Sequence, residues 1–200
     1  MALRTDYQVI SEWIPRGARV LDLGCGDGEL LAHLARVRDV RGYGLELDMA
    51  NIRQCVARGV NVIQRDLDEG LADFAKDSFD IVVMSQALQV VQEPDALLAE
   101  MLRVGHRGIV TFPNFGHWST RWQFAWSGRM PRTRTLPDHW YDTANIHLCT
   151  LKDFEDLCRQ RGYRVIRSAM TDARHRRSAG HRLLPNLRAE VGIYLLEDPA

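Results

Sequence analysis

Over the first 112 residues, short apolar runs alternate with segments whose apolar residues recur three and four positions apart, the spacing of a helix with one buried face. The runs predict strands at Ala18–Leu23, Gly42–Leu47, Val60–Arg65, Phe79–Ser85 and Gly108–Phe112. The helical spacing predicts Asp27–Arg36, Asp48–Arg58 and Pro94–Val104 between them. An amphipathic helix Thr5–Ile14 precedes the first strand, and a short helical piece Asp68–Phe74 follows the third. Strands joined by crossover helices make a doubly wound parallel sheet. Phe79–Ser85 is nearly unbroken in its apolar character, as a strand covered on both faces must be, which places it at the sheet centre.

The alternation stops at Pro113. Residues 113–150 hold four of the five tryptophans, three of the seven histidines and Pro113, Pro131 and Pro137, so they read as an insertion after the fifth strand. A helix Leu151–Arg161 and strands Tyr163–Ala169 and Val191–Leu196, joined by an arginine-rich connection 171–189, complete the chain. The expectation is an α/β, Rossmann-like fold: one domain over residues 1–200, with a mostly parallel seven-stranded sheet and helices on both faces.

The polar residues at the ends of the predicted strands are the candidate chemistry. In Val20-Leu-Asp-Leu-Gly-Cys-Gly-Asp-Gly-Glu-Leu30 the first strand runs into Asp22-x-Gly24-x-Gly26-x-Gly28 and opens a helix. Glycines allow a tight turn and let a ligand touch the backbone where no Cβ stands. Asp22, Asp27 and Glu29 crowd this turn with negative charge, and Asp27 sits where a helix N-cap belongs, so a pyrophosphate would be repelled. S-adenosylmethionine (SAM), with a sulfonium, an ammonium and no phosphate, suits such a pocket better than NAD does. Glu46, 22 residues after Gly24, is spaced to accept both hydroxyls of a ribose. Asp66 can accept from an adenine amino group while the Leu67 backbone donates to the ring, and Asp22 can anchor an ammonium through water. Cys25, Leu47 and Ser85 complete the candidate crevice at the tips of the first, second and fourth strands.

Composition narrows the classes. An apolar fraction of 46% with 26% charged residues is ordinary for a soluble globular chain, and no stretch approaches the roughly 18 apolar residues of a membrane span. No export segment is evident at Met1–Tyr7, and the four cysteines form no C-x-x-C pair, so a cytoplasmic protein with reduced thiols is expected. Charge is divided: residues 1–100 carry 10 basic and 17 acidic side chains, residues 101–200 carry 16 and 9. Apart from Lys76 and Lys152 the basic residues are arginines, which suit protein interfaces. The balanced net charge and the lack of an RNA-binding motif argue against nucleic acid.

In the insertion, Trp118, Trp122 and Trp126 recur four apart, which puts three indoles on one helix face. Such a stripe is expected to be covered, either by the sheet or by a partner for which it serves as anchor, with Arg121, Arg129, Arg132 and Arg134 around it. His117, His139, His147 and Cys149 do not match the spacing of a zinc site, and a Gly-x-Ser-x-Gly nucleophile turn is absent.

Two resemblances follow from these residues. Val-Leu-Asp-Leu-Gly-Cys-Gly-Asp-Gly, Gly-Leu-Glu-Leu-Asp, Gln-Arg-Asp-Leu and Phe-Asp-Ile-Val-Val-Met-Ser make residues 18–112 resemble a class I SAM-dependent methyltransferase. Gln86-Ala-Leu-Gln-Val-Val91, Ile109-Val-Thr-Phe-Pro-Asn-Phe-Gly-His-Trp118, Ser127-Gly-Arg-Met-Pro131 and Trp140-Tyr-Asp-Thr-Ala-Asn-Ile-His-Leu-Cys-Thr150 extend the likeness over nearly the whole chain, to the methionine-biosynthesis MetW family. This resemblance implies the class I methyltransferase fold and SAM, or S-adenosylhomocysteine, as cofactor. It further implies an accessory or regulatory subunit that partners a homoserine O-acetyltransferase or O-succinyltransferase. It carries over no catalytic residue. The alternative is a working methyltransferase on a small molecule, with 113–150 as substrate lid.

Overall fold

The computed structural model describes residues 4–172 and 184–199. Helix α1 (Thr5–Trp13) leads into strand β1 (Arg19–Leu23), followed by α2 (Glu29–Arg38), β2 (Arg41–Glu46), α3 (Met49–Ala57) and β3 (Asn61–Gln64). Next come β4 (Ile81–Ser85), α4 (Pro94–Val104), β5 (Gly108–Pro113) and α5 (Trp118–Ser127). The chain ends with α6 (Leu151–Arg161), β6 (Arg164–Thr171), the single turn α7 (Pro185–Arg188) and β7 (Val191–Glu197).

All seven strands form one sheet in the order β3-β2-β1-β4-β5-β7-β6. The first five in that order run parallel, and β7 lies antiparallel between β5 and β6. Chain order reverses between β1 and β4, so a crevice opens beyond the carboxyl ends of those two strands. Strand alternation sends Leu21 and Leu23 to one face, where they meet Leu45, Met84, Val110 and the α4 residues Leu98 and Met101. Val20 goes to the other face, with Val83, Ile109, the α1 residues Val9, Ile10 and Ile14, and the α2 residues Leu30, Leu31 and Leu34. The core thus has two layers with the sheet between them. By the same alternation Asp22 shares the α1 face with Val20.

The course of α1 matters for the crevice. Gly17 N–H, just past its end, donates to Arg38 O at 2.8 Å, so the chain leaving α1 meets the C-terminus of α2 at the amino edge of the sheet. α1 therefore runs antiparallel to β1 and brings Arg4 and Tyr7 to the carboxyl edge.

The predicted helical piece Asp68–Phe74 shrinks to one 3-10 turn, Leu67–Glu69, because Gly70 at φ +72° ends it. β6 reaches two residues beyond its expected end because Met170 and Thr171 stay in register with Gly192 and Val191. The arginine-rich connection holds α7, and residues 173–183 of it lie outside the described part. Residues 114–150 leave the sheet through Asn114, which is buried. Its Nδ2 donates to Asn186 O (3.0 Å) and Ala189 O (2.7 Å), and its Oδ1 accepts from Gly116 N (2.9 Å) and Leu151 N (3.3 Å). One amide thus ties the start of the insertion, its end and the approach to β7. Among the described residues no helix is long and apolar enough to cross a membrane.

Candidate functional site

The β1–α2 turn is fixed to β2 by two bonds, from Gly24 N and Cys25 N to Leu45 O at 2.9 and 3.0 Å. Gly24 and Gly26 both have positive φ, +68° and +56°, which glycine adopts without strain. Their surroundings differ. A Cβ on Gly24 would lie 3.2 Å from Ala87 Cβ and 3.7 Å from Leu67 Cδ1, so the loops after β3 and β4 close in there. A Cβ on Gly26 would meet nothing within 4 Å. The backbone at Gly26 is therefore bare to an open crevice.

Glu46, at the tip of β2, is held by three main-chain donors: Gly26 N to Oε2 at 2.8 Å, and Leu47 N and Asp48 N to Oε1 at 3.0 and 2.9 Å. These bonds fix the carboxylate in place and leave a lone pair on Oε2 for another donor. Leu47 itself is exposed. Asp22 is 2% exposed, and its Oδ1 has no hydrogen-bond partner. Burial, and then the charge of Glu46, push its pKa up to about 8, with Arg4 acting the other way. A buried carboxylate oxygen without a donor is costly, and it marks a place where a donor belongs.

Asp66 caps the turn after β3, its Oδ1 accepting from Asp68 N at 3.0 Å, and Leu67 packs against the core beside Gly24. At the tip of β4, Ser85 Oγ lies 3.3 Å from Thr111 Oγ1. Gln86 follows in the left-handed region at φ +61°, its N–H donating to Thr111 O at 3.0 Å. A non-glycine residue in that conformation at a strand tip is a frequent companion of a binding site. Asp22, Gly24, Gly26, Glu46, Asp66, Leu67 and Ser85 thus come from four adjacent strand tips, β3, β2, β1 and β4, around one crevice.

Cys25 belongs to the turn only through its backbone. Its side chain points under the turn against Gly44, where an added Cβ would lie 2.3 Å from its Sγ, and its sulfur is 3.8 Å from that of Cys55. Cys55 Sγ donates to Gly26 O at 3.1 Å and so supports the turn from below. Burial pushes both thiols up.

One expectation needs correction. Gly28, at φ +76°, occupies the cap position of α2, not Asp27. Asp27 accepts from Glu29 N at 3.1 Å and pairs with Arg58 at 2.8 Å, outside the crevice. Of the two covers expected for the tryptophan stripe on α5, the sheet is not one: Trp118, Trp122 and Trp126 are 56%, 62% and 81% exposed.

Sequence reasoning missed Arg4 and Tyr7. The Arg4 guanidinium is held by Asp6, donates from Nη1 to Tyr7 Oη at 3.2 Å and sits 4.5 Å over the Tyr7 ring. It also missed Gln89, a buried residue whose side-chain Nε2 donates to Gln86 O at 2.8 Å and whose main-chain carbonyl accepts from Ile146 N and His147 N at 2.9 and 3.0 Å. The periodicity of α1 and the apolar character of residues 87–91 gave no sign of these contacts.

Comparison with solved structures defines the class. A SAM-dependent methyltransferase from Mesorhizobium loti superposes with a TM-score of 0.71, covering 97% of this chain and 98% of that one at 18% identity. The fold is that of the SAM-dependent methyltransferases. Within that class, the family model described as methionine biosynthesis protein MetW matches residues 4–196, and the chain belongs to the MetW family. The bifunctional methionine biosynthesis protein MetXA/MetW of Rhodopirellula baltica is 34% identical over 96% of this chain and 32% of its own length. The ubiquinone biosynthesis O-methyltransferase of Hahella chejuensis is 36% identical over 55% of this chain and 48% of its own. The chain spans less than half the length of either relative.

Proposed function

We propose that this chain binds SAM, or S-adenosylhomocysteine, and acts as an accessory, regulatory subunit of a homoserine O-acyltransferase in methionine biosynthesis, in the cytoplasm. The observation that carries the partner is the Rhodopirellula relative, in which a segment like this chain forms about a third of a polypeptide named MetXA/MetW. The unpartnered Asp22 Oδ1 and the bare backbone at Gly26 support the cofactor.

In this reading Asp22 takes the α-ammonium, the remaining lone pair of Glu46 takes a ribose hydroxyl, and Asp66 takes the adenine amino group while Leu67 N–H donates to the ring. The methionine chain lies along Gly24, Cys25 and Gly26, and Ser85 closes the far wall. The acids that accept these donors would repel a phosphate, which separates SAM from dinucleotides. Bound SAM would supply an electrophilic methyl group, but here it serves as a report of methionine status, and Trp118, Trp122, Trp126 and the arginine-rich C-terminal half contact the acyltransferase.

The test is to titrate the chain with SAM by calorimetry, then mix it with a homoserine O-acetyltransferase or O-succinyltransferase and follow association and acyl transfer. SAM binding, a stable complex and an acyl-transfer rate that responds to SAM are expected. An acyltransferase that neither binds the chain nor changes its rate would end the partner reading. The likeness to a ubiquinone biosynthesis O-methyltransferase favours the second reading, a methyltransferase on a small molecule. Conversion of SAM to S-adenosylhomocysteine with a metabolite and no partner present would establish it.

A further inference from the structure

We propose that the insertion carries a second ligand site, a pocket that takes an α-amino acid with an apolar side chain, Arg132 receiving its carboxylate and Asp138 its ammonium. The site goes beyond the SAM reading above and does not rest on it: the pocket is lined by residues of the insertion, and none of the crevice residues is among them.

Its volume of about 470 Å³, mouth included, falls in the range of small-molecule sites, roughly 300–1,000 Å³. The apolar lining is graded, with Pro131 and Leu136 buried, Phe115 half-buried, and Met130, Trp140 and Leu148 exposed. Two opposite charges stand in this lining, and hydrogen bonds set them side by side. Arg132 Nε donates to Pro137 O at 2.9 Å and Nη1 donates to His139 Nε2 at 3.2 Å, so the guanidinium is held by the residues on both sides of Asp138. The turn between them is closed: Thr133 N donates to Leu136 O at 2.9 Å, and Leu136 N donates to Thr133 Oγ1 at 3.2 Å.

Despite that closeness Arg132 and Asp138 form no ion pair with each other, and neither has an ion-pair partner among the described residues. A guanidinium has five N–H donors, and the two side-chain bonds of Arg132 leave three of them, two on Nη2, for a ligand. A carboxylate suits them, and because the side chain is already held, little freedom is lost on binding. An acid alone would set a second anion beside Asp138, and an amine alone would leave the guanidinium unanswered. A zwitterion satisfies both. The apolar lining then receives its side chain, and Met130 and Trp140 suit a polarisable thioether. Asn145 and Leu148 line the pocket, and between them Ile146 and His147 are held by the main-chain carbonyl of Gln89, so an occupant sits against the segment clasped by the loop after β4.

The test is calorimetry of the full chain with L-methionine, with 4-(methylthio)butanoate, which lacks the ammonium, and with 3-(methylthio)propylamine, which lacks the carboxylate. L-methionine is expected to bind at least about tenfold more tightly than either. Arg132→Gln should weaken L-methionine by about tenfold to a hundredfold and leave the amine within about twofold of wild type. Asp138→Asn should weaken L-methionine by a similar factor and leave the acid unchanged. Both side chains are exposed, so the melting temperature of each variant should match wild type, which separates lost binding from lost folding. Equal affinity for L-methionine and 4-(methylthio)butanoate would overturn the proposal, and so would an L-methionine affinity that neither substitution changes. A loss in Asp22→Asn with none in Arg132→Gln would place the amino acid in the crevice instead, and no binding of L-methionine at millimolar concentration would remove the site. A chain that binds L-methionine as expected but not SAM would leave this site standing and end only the cofactor reading.

Discussion

Asp22 sits in the fold with its pKa pushed up to about 8, first by burial and then by the charge of Glu46, whereas in the unfolded chain it titrates near 4. Between those values the folded chain keeps a proton that the unfolded chain has lost. The stability this group contributes is therefore full below about pH 4 and is lost as pH rises to about 8. An ammonium seated at Oδ1 reverses the preference, because an adjacent positive charge favours the carboxylate. SAM binding at pH 7 is then expected to expel a proton, and affinity should rise from pH 6 to 8 and level off above. Calorimetry in two buffers of different ionisation heat measures the released proton. Asp22→Asn should bind more weakly and release none, and a wild-type affinity flat from pH 6 to 9 would remove Asp22 from the ammonium site. That Asp22, Glu46 and Asp66 lie at the carboxyl ends of β1, β2 and β3 was legible in the sequence because the apolar runs locate those strands, and such ends are where ligands meet parallel sheets. The place of Arg4 was not, because helical periodicity shows which face is buried but not which end of the helix faces a crevice.

Among the elements, α5 turns its aromatic face outward. The spacing of Trp118, Trp122 and Trp126 correctly put three indoles on one face, and a face of that kind calls for a cover. Yet Asn114, locked by Asn186, Ala189, Gly116 and Leu151, turns the chain out of the sheet before α5 begins, and within α5 only Thr120 is buried. Trp122 and Trp126 stack on each other instead, centroids 5.7 Å apart. Large exposed aromatics of this kind mark an interaction site, and Trp is prominent among residues that dominate interfaces. If the proposed acyltransferase complex forms, Trp122→Ala and Trp126→Ala are each expected to weaken it by about 2 kcal/mol, roughly thirtyfold, while the melting temperature and any SAM affinity stay near wild type. A lowered melting temperature with association intact would assign the stripe to the chain's own stability. The strands themselves were readable from their apolar runs, but the placement of β7 between β5 and β6 was not, since periodicity identifies a strand without naming its neighbours.

At the scale of the whole molecule, the crevice and the insertion share one loop. Gln86, whose backbone is pinned to Thr111 at the crevice edge, accepts through its main-chain carbonyl from Gln89 Nε2, and the main-chain carbonyl of Gln89 holds Ile146 and His147 of the insertion. His147 Nε2 also donates to Gln92 O at 3.0 Å, so the far end of the insertion is clasped by the loop that follows β4. A ligand that shifts Ser85 or Gln86 acts on the same chain that positions residues 143–148. This gives a regulatory reading a physical route, and thermodynamics makes it strict: if SAM changes the affinity for the acyltransferase by some factor, the acyltransferase must change the affinity for SAM by the same factor. Measuring SAM affinity by calorimetry for the free chain and for the preformed complex supplies one side of that equality, and measuring complex formation with and without saturating SAM supplies the other. Gln89→Met keeps the volume of the side chain but removes its bond to Gln86 O. In that variant the coupling factor should move toward one, with each separate affinity within about threefold of wild type, inside the range of 0.5–2 kcal/mol by which residues along such networks modulate coupling. Equal SAM affinities with and without the acyltransferase in the wild-type chain would leave SAM with no influence on the complex, because a ligand shifts an equilibrium only by its differential affinity for the two states.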